Sequence, residues 1–244
     1  MQMLPLEWDS RSGKAHTTLK LVSVILARTI GYLEVFGLDG DGKLYFPDMA
    51  KSLAQQFRFQ KFPQTLEESD IRSKDGMVFL GGISDGRPIQ KFMIGSNLIY
   101  VETRSSTDVS KEILEEILTW GVANLGLTYN SETIKHFAYV NCVSFYSDVP
   151  ILTNASTPLT RLSAATSDAL SEILREPIRY EPVNLEIGCD PLTRKYGIAS
   201  FQITRRSNIK FSDKTYYSEA PLPTKTHIAM LEQYERDVAL TEKA

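Results

Sequence analysis

Residues 77–103 read MVFLGGISDGRPIQKFMIGSNLIYVET: three runs of apolar and β-branched residues separated by two turn signals. Met77–Leu80, Pro88–Ile94 and Leu98–Thr103 are each short enough for a strand. Asp85-Gly86 and Gly95-Ser96-Asn97 between them are the residue types that tight hairpin turns require. Consecutive strands joined this closely must run antiparallel, because a parallel pair needs a crossover of a dozen residues or more.

Upstream, Thr17–Phe36 is apolar and β-branched, interrupted by Arg28 and Gly31. It predicts one long bent strand or a pair, with a short helix over Leu19–Ala27 as the competing reading. Asp48–Phe57 repeats Met49, Leu53 and Phe57 at intervals of four, a helical stripe entered at Pro47. Lys61–Asp75 is polar and reads as a loop. Downstream, Val109–Leu125 places Ile113, Leu114, Ile117, Leu118, Gly121 and Leu125 on one helical face, with Thr107 or Asp108 as the expected cap. Residues 1–15 lack any periodicity and predict a flexible N-terminal arm.

After about residue 130 the succession recurs. His136–Tyr146 reads as a strand and Pro158–Leu174 as a helix. Strands then follow at Tyr180–Ile187, Tyr196–Arg205 and Asn208–Phe211 or Thr215–Ser218. A closing helix runs over Thr226–Leu240 with Ile228, Leu231, Tyr234, Glu235 and Val238 along one stripe. The expected fold class is therefore α+β: a mainly antiparallel sheet with helices on one face, in two topologically similar halves, 16–130 and 131–244. This strand, helix, strands, helix order used twice is similar to the duplicated fold of the TATA-binding protein. The resemblance is one of topology, with no shared motif, and it carries no function with it.

Composition narrows the functional classes. The formal net charge is −3, with 14 basic against 16 acidic residues in 1–125 and 13 against 14 in the remainder. Neither half is a basic module. Two cysteines, Cys142 and Cys189, are too few for a disulfide framework or a cysteine-rich zinc site, so a reducing, cytoplasmic setting is expected. No apolar run approaches the roughly 18–20 residues that span a bilayer, and Met1–Ala15 does not read as a secretory signal.

Catalytic and metal motifs fail on spacing. His136 and Cys142 fall on one face of the same strand, yet six residues at about 3.3 Å each separate them by about 20 Å. Cys142, sharing its face with Ala138 and Val140, reads as a small buried residue, and Cys189 as a turn residue. His227, near a helix start, reads as a capping or surface residue. Asp39-Gly40-Asp41-Gly42 resembles the opening of a calcium loop, but Lys43 and Ala50 stand where a ligand and a closing glutamate are needed. Glu112, Glu115 and Glu116 line the polar side of a helix and need no further explanation. No cofactor or metal is expected.

One charge deviation remains. Between positions 194 and 210 lie Arg194, Lys195, Arg205, Arg206 and Lys210 without an acidic residue. These five are the candidate binding residues, for phosphates or for an acidic protein surface. Phe137, Tyr139 and Phe145 alternate along one strand face, but alternation does not say which face the helices cover. The leading expectation is a non-catalytic binding or assembly protein that uses an exposed sheet face, with a protein partner or self-association. The alternative is nucleic-acid binding through 194–210, and an enzyme with an unrecognised site ranks last.

Overall fold

The computed structural model describes residues 18–33, 45–130, 132–190, 192 and 198–241. The expected arm at 1–15, the Asp39–Asp41 turn, Arg194 and Lys195 lie outside the described residues. The elements run β1 Lys20–Leu33, α1 Phe46–Gln56, β2 Met77–Ser84, β3 Arg87–Ile94, β4 Leu98–Thr103, α2 Thr107–Leu125, β5 Ile134–Tyr146, α3 Thr157–Leu174, β6 Asn184–Ile187, β7 Phe201–Arg205, β8 Thr215–Ala220 and α4 Thr224–Thr241. All eight strands join one sheet in the order β2-β3-β4-β1-β5-β8-β7-β6, and every pairing is antiparallel.

Local chemistry accounts for the boundaries. Asp85 and Gly86 both have positive φ, 46° and 75°, the pair that a two-residue hairpin needs between Ser84 and Arg87. β1 is a single strand bent by register shifts against β5 at Leu21/Ser23 and Val24/Leu26, which resolves the strand-or-helix ambiguity. α2 is capped one residue earlier than expected. The Ser106 hydroxyl accepts from the Val109 amide at 3.2 Å, and Gly126 at φ 70° closes the helix. β6 is shorter than its apolar run. Upstream of it the Ile178 and Tyr180 amides donate instead to the Ser171 and Ser167 hydroxyls of α3, at 2.9 and 2.8 Å.

Alternation sorts the sheet's two faces. Phe79, Phe92, Ile94, Ile99 and Val101 pack with Met49 and Leu53 of α1 and with Ile113, Leu114, Ile117 and Leu118 of α2. Val143, Phe145, Ile203 and Tyr216 pack with Leu231 of α4. These strand residues share one face, so α1, α2 and α4 all cover the same side. Each fully buried aliphatic or aromatic side chain there contributes about 1.5–3 kcal/mol. α3 contributes no buried residue.

Candidate functional site

The residues that alternate with the core form the opposite face: Arg28, Ile30 and Tyr32 of β1, Ala138, Val140 and Cys142 of β5, Tyr217 and Glu219 of β8. The register aligns them across strands, with Arg28 facing Val140, Ile30 facing Ala138 and Cys142 facing Glu219. Together with Leu26, His136 and the flanking Ile198, Ala199 and Pro221 they line a groove of about 830 Å³. That volume falls within the range of small-ligand and peptide-side-chain sites.

The floor is apolar, and polar groups stand at its margins. The Tyr32 and His136 rings stack with centroids 4.5 Å apart and 15° between planes. Arg28 donates to the Glu102 carboxylate from Nε at 2.8 Å, and its guanidinium lies 4.8 Å from the Tyr100 ring centroid. At the other side Tyr217 donates its hydroxyl to Glu219 at 3.0 Å. Burial pushes the Cys142 thiol up to about 11, with Glu219 adding to the effect, so the thiol is protonated at neutral pH and a poor nucleophile. Tyr217 is also pushed up, by burial first and then by Cys142 and Glu219. Neither group is tuned to exchange a proton near pH 7. Among the described residues no group of three His, Cys, Asp or Glu side chains is placed to hold a metal ion.

Of the five basic residues singled out in the sequence, the three that are described, Arg205, Arg206 and Lys210, go to different places. Arg205 faces the helix-covered side and is buried in an ion pair with Glu181, which also binds Arg179. Its Nε donates to the Pro182 carbonyl at 3.0 Å, and its guanidinium stacks 4.2 Å from the Phe211 ring centroid. The sequence hid Glu181 as the counter-charge because it lies 24 positions upstream. Arg206, one residue on, points the other way and donates to Ser144 at 2.7 Å. Lys210 is exposed, immediately before the Phe211–Asp213 turn.

Two other expectations are corrected. His227 is fully buried, its Nδ1 hydrogen-bonded to Asn141 Oδ1 and its Nε2 to the Ser218 hydroxyl, both at 2.8 Å, and that hydroxyl donates to the Gln202 carbonyl at 2.7 Å. Asn141 in turn donates to the Leu26 carbonyl, which turns its amide oxygen towards the ring. Glu112 and Glu116 are partners of Arg87, and Ser84 donates to Glu116 at 2.7 Å, so this helix side is tied to the β2–β3 hairpin. Phe137 lies on the helix side under Lys111, 4.8 Å from its ring centroid, whereas Tyr32, Tyr100, Tyr146 and Tyr217 lie on the opposite face. No helix among the described residues is long and apolar enough to cross a membrane. No family model matches the sequence, and no curated protein matches it.

Proposed function

We propose that the chain is a non-catalytic binding or assembly protein whose macromolecular partner lies across the helix-free face, over Ile30, Ala138 and Val140. One observation carries this reading: an apolar groove runs over the two central strands, on the side of the sheet that α1, α2 and α4 leave open. An apolar floor rimmed by Arg28, Glu219 and aromatic rings has the composition of an interaction site. The raised Cys142 and Tyr217 ionisations favour binding over nucleophilic or acid–base chemistry.

We also propose that the architecture is an internal duplication with the order of the TATA-binding protein. Each half reads strand, helix, three strands, helix, and the strand order β2-β3-β4-β1 is mirrored by β6-β7-β8-β5. The equivalent first residues of α2 and α4 support it. The Thr107 amide donates to the Thr224 hydroxyl at 3.0 Å, and the Thr224 amide to the Thr107 hydroxyl at 2.9 Å.

A benzophenone amino acid in place of Ile30 or Val140 tests the site. Photolysis in extract should give a discrete macromolecular adduct that is absent when the label replaces Gln233 on α4. Arg28→Glu should abolish that adduct. Equal labelling from all three positions, or none, defeats the proposal. Nucleic acid is the partner if the adduct is nuclease-sensitive and binding falls steeply with salt.

A further inference from the structure

We propose that the chain forms a two-fold dimer through its β6 edge, with α3 packing against α3 of the second copy on the same side of the joined sheet. The two outer edges of the sheet are treated differently. At β2 the chain covers its own edge. The Lys61 and Leu80 backbones exchange hydrogen bonds at 3.2 and 2.8 Å, and the Ile83 amide donates to the Phe57 carbonyl at 2.7 Å. Phe57 and Phe59 from this covering segment are buried in the core. At β6 the described residues supply no such strand: β6 pairs only with β7. An uncovered edge with apolar side chains is a template for strand addition.

α3 is tied to the segment that leads into that edge strand and is just as incomplete. Its polar line, Ser167 and Ser171, is bonded to the segment leading into β6. Its apolar line is left in solvent, with Leu162 63% and Ile173 72% exposed. Ile187 on β6 is 63% exposed as well. A helix that is anchored by its polar side while presenting its apolar side outward is the reverse of an ordinary surface helix.

Charge and register identify the occupant as a second copy. Arg161 and Glu172 are 11 residues apart, about three turns, so they stand on one line along the border of the apolar stripe. Leu162 and Ile173 have the same spacing on the adjacent line. An antiparallel copy of α3 therefore sets Arg161 against Glu172 of the second copy twice, and Leu162 against its Ile173 twice, with Ala165 and Ala169 small enough for close approach between them. Neither Arg161 nor Glu172 has an ion pair among the described residues. The strand agrees. Leu185 and Ile187 share the helix side with Val183, while Asn184 and Glu186 face the other way. Antiparallel pairing centred on Leu185 sets Val183 against Ile187 of the copy and Asn184 against its Glu186. Centring on Glu186 would oppose two like charges, so the pairing selects its own register. The same two-fold axis, normal to the sheet, satisfies both helix and strand.

Sedimentation analysis of the full chain from about 1 to 100 µM tests this. A dimer is expected, weakened about tenfold or more by Arg161→Glu or Glu172→Arg alone and restored when both changes are combined. In a Cys189→Ser background, Leu185→Cys should form an interchain disulfide under mild oxidation, since facing residues of an antiparallel pair lie about 4.5–5.5 Å apart at Cα. A monomer throughout, a dimer indifferent to the charge changes, or the lack of that disulfide overturns the proposal. Photo-labelling from Ile30 and Val140 reads a different face, so either result stands apart from the other.

Discussion

His227 shows how a single side chain departs from its sequence context. Burial holds its ionisation down to about 4, against about 6.5 in an unfolded chain. Asn141 and Ser218 are neutral partners, Phe201 meets the ring edge-on at 5.4 Å, and Lys225 on the same helix is exposed. The unfolded chain therefore takes up the proton first as pH falls. Stability from this residue is complete above about pH 6.5, declines from there towards pH 4, and is flat below, a loss of about 3 kcal/mol. Melting curves from pH 7.5 to 4 should show this decline, and His227→Gln should flatten it at the cost of a lower starting stability. Its spacing of four from Leu231 and eight from Glu235 on the α4 stripe was the signal that placed it inside. Glu235, buried on the same stripe, accepts from the Thr18 and Leu19 amides at 2.8 and 3.0 Å and so anchors the start of β1.

At the scale of elements, the closed β2 edge depends on a residue with no side chain. A Cβ on Gly82 would stand 2.4 Å from the Phe59 ring and 3.1 Å from the Phe57 carbonyl oxygen. Gly82→Ala must push the covering segment off the strand, at a cost of about 1–3 kcal/mol from overpacking. Hydrogen exchange should report it specifically, with protection lost at Leu80 and Ile83 and retained at Val101. Removing a buried charge partner acts on the opposite flank. Arg205→Met leaves Glu181 without its inner partner, and a loss of about 3 kcal/mol in denaturant unfolding is expected.

For the molecule as a whole, the junction is the antiparallel pairing of β1 with β5 and the meeting of two helix N-termini at Thr107 and Thr224. Each hydroxyl satisfies the other helix's first amide, so either Thr→Val change leaves a buried N–H without an acceptor. Each should cost about 1–2 kcal/mol, and the double variant should cost measurably less than the sum of the two. An additive double variant would mean that the two caps act independently.

The amino-acid order by itself determined most of the strands and all four helices, from Asp85-Gly86 as a hairpin to the four-residue period of α1, while leaving the start of β1 open between strand and helix. These are local consequences of backbone sterics and of apolar spacing along a few turns. Tertiary structure alone decided which sheet face the helices cover, that Arg205 is sequestered by Glu181, and that α3 turns Leu162 and Ile173 outward. Alternation is symmetric with respect to the two faces, and a counter-charge or a covering strand can come from any distance along the chain. Pairing across the sheet, rather than pattern along it, settles those choices.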